Sequence, residues 1–174
     1  MQNLIDTLSA KLLELNEILR LIQPCSDPGR KYKANLMPYN PGDEDALSLE
    51  YQKLALLMDL IDKEEISYRD INSDLRKIKS VHLVFDKLNE GLTLEGFELA
   101  ELKTYIFYYQ RIIGLFQSLR LIDEFGLTDF SGELRLLDPE EQNTPHFFLS
   151  SKYSEKLRAL RAELADLSSN IKNN

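Results

Sequence analysis

The sequence has little of what builds disulfides, metal centres and sheets. Its 174 residues include one cysteine, Cys25, which excludes a disulfide within the chain and is compatible with a reducing compartment. Only two histidines are present, His82 and His146, and no cysteine pair accompanies them, so no metal site is expected. Valine, a strong strand former, occurs only at Val81 and Val84, so strands should be scarce.

Glycine and proline are also few, and they fall between periodic segments instead of inside them. Four of the six prolines lie between Pro24 and Pro41, a distribution that favours long uninterrupted helices. The start of the chain has no basic segment of the kind that begins a secretory signal. No apolar run approaches the length that spans a bilayer. These absences predict a cytoplasmic protein without a membrane partner.

What the sequence does have is acidic charge and enough apolar residues for a core. Its formal net charge is −8, from 21 basic and 29 acidic residues, and 43% of its residues are hydrophobic. Nucleic-acid binding depends largely on lysine and arginine neutralising phosphates, so DNA binding by this chain alone should be weak or absent. The length predicts a single domain over residues 1–174.

The central feature is a helical pattern between residues 68 and 122. Apolar residues recur at alternating intervals of three and four, as on one face of a helix, at Leu99, Leu102, Ile106, Tyr109, Ile113 and Phe116. Further apolar residues widen this face, so we expect a central helix from about Leu94 to Phe125 that several other helices bury. Gly114 interrupts the pattern, and close packing against a neighbouring helix would explain it.

Periodicity and helix-end signals predict the other elements. A first helix runs from Gln2 to about Ile22 and stops at Pro24, and a loop with turns at Asp27-Pro28-Gly29 and Asn40-Pro41-Gly42-Asp43 follows. A helix from Asp43 or Asp45 to Lys63, an irregular stretch over Ile66–Ile71 and a helix from Asn72 or Ser73 to Leu88 come next, and the last of these stops at Asn89-Glu90-Gly91. After the central helix, we expect a short helix or turn over 129–137, a polar loop over 138–143 and an extended piece over 146–149. The last helix runs from Ser150 or Ser154 to Ile171. The expected fold is an all-α multi-helix bundle.

The last helix carries a heptad pattern. Its apolar residues follow intervals of three, four, three and four, at Leu157, Leu160, Leu164, Leu167 and Ile171. No glycine cap or turn follows, so we expect the helix to continue in a longer parent protein, of which this chain is a fragment; a frayed native terminus is the alternative.

No motif in the sequence predicts catalysis, and no catalytic, cofactor-binding or metal-binding residue is assigned. Gly91-Leu92-Thr93-Leu94-Glu95-Gly96 has the glycine spacing of a phosphate-binding loop, but Phe97 and Glu98 follow where lysine and serine or threonine are required. His82 is expected to pack on the apolar stripe of its helix, and His146 in a loop. Ser150 and Ser151 have no local base.

Four charged or aromatic clusters have simple structural interpretations. The basic cluster Arg30-Lys31-Tyr32-Lys33 is interpreted as a solvated loop, although it has the composition that touches phosphate or an acidic partner. The acidic pairs Glu64-Glu65 and Glu140-Glu141 are interpreted as solvated charge. Tyrosines 105, 108 and 109 with Phe107 are interpreted as core, not as a platform for stacked bases.

Two groups of residues resemble MutS-like DNA mismatch repair proteins, in the branch without the N-terminal mismatch-reading domain. The first group is Asp70-Ile71 followed by Gly91-Leu92-Thr93 and Glu98-Leu99; the second is Leu137-Asp138-Pro139, Phe148-Leu149-Ser150, Tyr153-Ser154, Leu157 and Leu160-Arg161. The resemblance extends from about Ala46 to Ile171. It concerns helix boundaries and contains no catalytic residue.

The resemblance implies an all-helical core and lever module of a DNA mismatch repair or recombination ATPase. Such proteins dimerise, hold mismatched or branched DNA between clamps, and hydrolyse ATP with Mg²⁺ in a C-terminal domain. This chain has neither a phosphate-binding loop nor a Phe-x-Glu mismatch-reading motif. It is therefore expected to be no enzyme by itself, to need no cofactor, and to transmit motion between an ATPase domain and a DNA clamp of its parent.

A second reading stays open. The same helices also suit a protein-interaction or regulatory module that has nothing to do with DNA. A new class of enzyme is a third reading, and the absence of a catalytic motif argues against it.

Overall fold

The computed structural model describes residues 14–172, apart from the side chains of Leu15, Asn16, Ile66 and residues 170–172. Within this range the fold is all-α, with nine α-helices, one 3₁₀ helix and no strand. The predicted all-helical class is therefore confirmed. The predicted extended piece over 146–149 is an irregular loop.

The helices lie at the following positions in chain order. They are α1 Leu15–Leu21, α2 Asp27–Ala34, α3 Glu44–Lys63, α4 Glu65–Leu75 and α5 His82–Asn89. They continue with α6 Gly96–Ser118, α7 Ile122–Phe125, α8 Ser131–Leu137, the 3₁₀ helix Ser151–Tyr153 and α9 Glu155–Lys172.

Contacts divide the chain into two compact units. The first comprises the chain up to Ser80 together with Tyr108–Thr128, and the second comprises Val81–Phe107 together with the chain from Asp129 onward. The division falls inside α6, between Phe107 and Tyr108. A single domain over residues 1–174 stays a prediction.

In the first unit, the segment after Pro24 differs from the predicted loop because it contains α2. Ser26 caps this helix, and its Oγ accepts a hydrogen bond from the Gly29 N–H at 3.2 Å. Asp27 and Pro28 lie in the first turn, where an acidic side chain and a missing N–H suit a helix start. The Asp27-Pro28-Gly29 signal thus marks a helix start, and the basic cluster that follows is helical. The residues of the predicted first helix before Glu14 lie outside the described range.

The predicted helix that ends at Lys63 agrees with the structure, and the predicted helix over 72–88 does not. α3 begins at Glu44 and ends at Lys63, as expected, after a turn in which the Asp43 N–H bonds the Asn40 carbonyl at 3.0 Å. The stretch predicted to be irregular is helical in α4, and the predicted helix from 72 to 88 is instead two helices, α4 and α5.

The turn between α4 and α5 contacts the start of α2. Ile78 is 5% exposed, and its carbonyl accepts a hydrogen bond from the Asp27 N–H at 3.4 Å. The chain turns after Leu75, where the Ile78 N–H bonds the Leu75 carbonyl at 3.2 Å.

The part of α6 in the first unit is buried on one face and anchored by a buried carboxylate. Ile112, Ile113 and Phe116 are each 7% exposed or less. Asp74, which is 1% exposed, accepts a hydrogen bond from Arg111 Nε at 2.8 Å, and Lys77 lies 3.4 Å from its other oxygen. This carboxylate joins α4 to α6 by charge as well as by apolar contact.

α6 ends earlier than predicted. Arg120 has a left-handed backbone, with φ of 57°, and the Leu121 N–H bonds the Phe116 carbonyl at 2.9 Å while the Arg120 N–H bonds the Gln117 carbonyl at 3.0 Å. This pair of bonds is a Schellman stop. α7 then packs back, with the rings of Phe116 and Phe125 edge to face at 5.1 Å between centroids. The helix predicted to reach Phe125 is therefore two helices.

The expected packing at Gly114 is wrong. Gly114 is exposed, and a Cβ atom built on it would meet no atom within 4 Å. It therefore makes no close helix contact. Six of the eleven buried apolar residues of the described chain lie on α6: Leu102, Ile106, Phe107, Ile112, Ile113 and Phe116.

The second unit has a core made by α5, α8 and the first half of α6. Its buried centre consists of Val81, Val84, Leu102 and Ile106, and both valines of the chain are in it. Leu94, Tyr105, Phe130, Leu134 and Leu137 pack around this centre. Phe85 and Tyr105 add an edge-to-face contact at 6.2 Å between ring centroids.

Candidate functional site

An exposed apolar surface of the second unit lies along α9. Leu160, Leu164 and Leu167 are 53%, 70% and 58% exposed, and Leu157 is half-buried. These four residues, which we call the leucine seam, follow the heptad intervals seen in the sequence. Because an apolar face in water is costly, a regular seam of this kind is typical of a helix that pairs with another.

The base of α9 is fixed to the rest of its unit by polar contacts. The Lys152 ammonium donates to the Pro139 carbonyl at 2.7 Å, and the Tyr153 hydroxyl donates to the Leu136 carbonyl. Arg161 Nη1 donates to Ser151 Oγ at 3.0 Å, which ties the second turn of α9 to the 3₁₀ helix. The seam therefore projects from an anchored base.

A buried ion pair supports the loop on which this base rests. Lys103 is 1% exposed, and its ammonium lies 3.4 Å from Asp138 Oδ1 and donates to the His146 carbonyl at 2.7 Å. Asp138 also accepts hydrogen bonds from the backbone N–H groups of Gln142 at 3.2 Å and Asn143 at 3.0 Å. Every charge in this centre has a partner, which is the condition under which a buried pair is tolerated.

Sequence reasoning missed this centre, although a signal for it exists. Lys103 lies directly beside Leu102 and three residues before Ile106 in the apolar pattern of α6. A lysine inside such a pattern requires a buried partner. Nothing in the sequence indicates that the partner is Asp138, which lies beyond two further helices.

A cavity of about 230 Å³ opens next to this centre. It is lined by Lys103, Asp138, Pro139, Glu140, Gln142, Phe148, Leu149, Ser150 and Arg161. The pKa of Glu140 is lowered, mainly because the Ser150 hydroxyl donates a hydrogen bond to it, with Gln142 and the cations Lys152 and Arg161 adding to the effect. The cations and carboxylates that line the cavity contact one another or nearby polar groups of the chain.

The cavity has no arrangement that activates a nucleophile. The Ser150 hydroxyl donates its proton to Glu140, and a carboxylate with a lowered pKa is a weak base. Ser150 Oγ also accepts the Lys152 N–H at 3.0 Å. These contacts order the loop. Glu140, predicted to be only solvated charge, is exposed but serves as a hydrogen-bond acceptor in this loop.

Of the histidines and serines singled out in the sequence, His146 and Ser151 contact the buried pair or the base of α9, and His82 does neither. His82 is exposed at the first position of α5, so the prediction that it packs on an apolar stripe is wrong. His146 lies in the loop, and its backbone carbonyl, not its ring, contacts Lys103. Ser151 begins the 3₁₀ helix and accepts a hydrogen bond from Arg161.

The glycines at 91 and 96 lie next to helix ends. Gly91 has φ of 71° and follows α5, and Gly96 begins α6. The Glu98 carboxylate lies at this helix start. It accepts a hydrogen bond from the Glu95 N–H at 2.8 Å and forms an ion pair with the Lys87 ammonium at 2.5 Å. A carboxylate at this position takes the place that a phosphate would need.

The basic and aromatic clusters are also distributed without forming a site. Arg30, Lys31 and Tyr32 are exposed on α2, while the Lys33 ammonium donates to the Ile22 carbonyl at 2.6 Å. Phe107 is buried and the three neighbouring tyrosines are half-buried, in agreement with the interpretation of this cluster as core. Tyr108 carries Lys77 over its ring, with 4.8 Å between the ammonium and the centroid.

Between residues 14 and 172, no three histidine, cysteine, aspartate or glutamate side chains are grouped so that they could hold a metal ion. No helix in that range combines the length and the apolar character that crossing a membrane requires. Comparison with known proteins shows no matching family model, no matching curated protein and no matching solved structure.

Proposed function

We propose that this chain is a helical docking module that joins a partner helix through the leucine seam. The observation that carries the proposal is the exposure of Leu160, Leu164 and Leu167 at heptad spacing on one face of an 18-residue helix. A partner helix that inserts its own apolar residues between them would remove this surface from water. Burial of apolar area contributes roughly 25 cal/mol per Å².

The anchored base of α9 supports the same proposal. A docking helix transmits or resists force only if its own attachment is stiff, and Lys152, Tyr153 and Arg161 tie the start of α9 to the loop before it. In the neighbouring cavity, the Ser150 hydroxyl and the Glu140 carboxylate bond each other and order the loop.

The MutS-like core and lever function is the more specific form of this proposal. Leu157 and Leu160-Arg161, which carry part of the resemblance, lie on α9, and the seam is the surface on which neighbouring lever helices would pack. In that form the partner is the rest of a MutS-like parent protein, which dimerises, binds ATP and Mg²⁺, and holds branched or mismatched DNA. The chain would then link the ATPase and the clamp mechanically, without chemistry of its own. In the alternative form it joins a protein unrelated to DNA.

Site-specific crosslinking in cells tests the docking proposal. A photoreactive phenylalanine analogue replaces Leu160, Leu164 or Leu167 in separate variants, and Ala162, which is exposed on the opposite side of α9, in a control. We expect covalent adducts from the three seam positions and none from position 162. Equal adducts from all positions, or none from the seam, would refute the proposal.

The identity of the adduct separates the two forms. Mass spectrometry of the crosslinked peptide should assign it to a polypeptide with a Gly-x-x-x-x-Gly-Lys-Ser or Thr motif if the MutS-like form is correct. A seam adduct with a polypeptide that has no such motif would reject that form and support the interaction module.

A further inference from the structure

A second apolar seam lies on α3, separate from the leucine seam. Tyr51, Leu54, Met58 and Ile61 are 64%, 52%, 60% and 42% exposed and follow one another at intervals of three, four and three. The buried side of α3 is a different one, with Leu60 at its centre and 7% exposed. α3 therefore has two apolar faces. The face with Leu60 is buried within its unit, whereas the second seam is exposed.

A shallow surface depression of about 410 Å³ lies beside the second seam, along the first half of α3 between Glu44 and Ala55. All of its lining residues belong to α3, with Leu47 and Tyr51 as its apolar part. In coiled-coil packing, spaces of this kind between the side chains of one helix receive the side chains of a second.

Acidic residues border this seam on both sides. At 3.6 residues per turn, Glu44 and Asp62 lie along one edge of the stripe, about five turns apart, and Glu50 lies along the other edge. All three are exposed, and Glu50 also lies 3.5 Å from the Lys53 ammonium. In the preceding segment, the pKa of Tyr39 is raised mainly by burial, and then by Glu50, Tyr32 and Asp43.

We propose that this acidic seam binds an amphipathic helix of a partner protein whose apolar stripe is flanked by lysine or arginine. Flanking charges at the edges of a helix pair select the partner, because like charges across the interface are unfavourable and opposite charges steer association. Pairing α3 with α3 of a second copy would set Glu44, Glu50 and Asp62 against the same residues. The occupant is therefore a basic-flanked helix and not this helix in a second copy.

Two synthetic peptides test the charge preference. Each has about three heptads, with leucine and isoleucine at the core positions, and they differ only in carrying lysine or glutamate at the flanking positions. Fluorescence anisotropy against the full chain should show the lysine peptide binding at least about tenfold more tightly, a difference of about 1.4 kcal/mol. Equal binding of the two peptides, or binding of neither, would overturn the proposal.

Variants of the full chain locate the binding site. L54S/M58S should lose the lysine peptide by at least about tenfold, because it removes exposed apolar atoms of the seam. E50K/D62K should reverse the preference in favour of the glutamate peptide. The matched control E124K/E133K changes the net charge equally at exposed acidic residues outside α3 and should keep the original preference. A control that reverses the preference as well would show that net charge alone governs binding, against the proposal.

The oligomeric state of the chain completes the test. Sedimentation equilibrium of the wild type should give the mass of one chain under the conditions of the anisotropy experiment. A concentration-dependent dimer that L54S/M58S abolishes would assign the seam to a second copy and overturn the proposal. Because this seam and the leucine seam lie on different helices, either proposal can fail without the other.

Discussion

Gly114 is a residue at which replacement should stabilise the protein. It lies inside α6 with ordinary helical neighbours, and an added Cβ meets no atom within 4 Å. Gly114→Ala should therefore raise the free energy of unfolding by about 1 kcal/mol, the difference in helix propensity between the two residues. Urea denaturation measures it. Gly91→Ala is the control and should destabilise the protein, because Gly91 has φ of 71°.

The Lys103–Asp138 pair should behave as a unit. Lys103→Met leaves the Asp138 carboxylate, which is 8% exposed, without its cation, and loss of one partner of a buried pair costs about 3–5 kcal/mol. The double variant K103M/D138N should recover part of this loss, since no isolated charge remains. A double-mutant cycle from urea denaturation measures the coupling. Additive effects of the two substitutions would show that the pair does not act as a unit.

Glu98 should give α6 a pH-dependent start. Its pKa is lowered from 4.5 by the backbone N–H of Glu95 and then by Lys87. A lowered native pKa means that the contribution to stability is complete above the unfolded value and is lost as the pH falls through the folded value. Glu98→Gln should therefore lower Tm at neutral pH, and the difference from wild type should shrink in acid. A difference in Tm that is constant from pH 7 to about pH 3 would exclude this contribution.

At the scale of the elements, the end of α6 is set by a residue of unexpected type. Arg120 adopts the left-handed conformation at a Schellman stop where glycine is preferred. Arg120→Gly should stabilise the protein by up to about 1 kcal/mol, because it removes the strain of an L residue in that region. Thermal unfolding measures the change, with Arg120→Ala as a control that keeps the strain. A loss of stability in Arg120→Gly would mean that the arginine side chain itself holds the stop.

Arg120 also explains a limit of sequence-based prediction. The helix starting at Gly96 and the helix over Glu44–Lys63 were predictable because their apolar patterns and acidic first turns point to one answer. The stop at Arg120 has no glycine, proline or break in apolar character to announce it. The turn after Leu75 is followed by Ile78, whose carbonyl accepts a hydrogen bond from Asp27, far away in the sequence. Neither helix end is indicated by the local apolar pattern.

The surfaces could be predicted only in part. The heptad intervals of α9 indicated an apolar stripe, but the residues alone do not say whether such a stripe is covered. The seam on α3 was hidden because Leu54, Leu57, Met58 and Ile61 read as one broad apolar face. In the fold, Leu57 is half-buried with Leu60 on one side of α3, whereas the other three are exposed on another. Which face is buried depends on the neighbours.

At the scale of the whole molecule, the charge balance predicts the behaviour toward DNA and nucleotide. With a net charge of −8, the chain should not shift branched or mismatched DNA at physiological salt, measured by gel mobility. ATP with Mg²⁺ should leave Tm unchanged, because a ligand raises Tm only if it binds the folded state. A clear rise in Tm with ATP would reveal a nucleotide site that the sequence does not predict.

The contact between Lys103 and the loop predicts how these positions vary among related sequences. The ammonium meets a carboxylate at 138 but only a main-chain carbonyl at 146, which every amino acid supplies. Among relatives of this chain, positions 103 and 138 should therefore be exchanged together or kept together, while position 146 should drift freely. In an alignment of such relatives, covariation of positions 103 and 138 without covariation of position 146 would be the evolutionary signature of this loop.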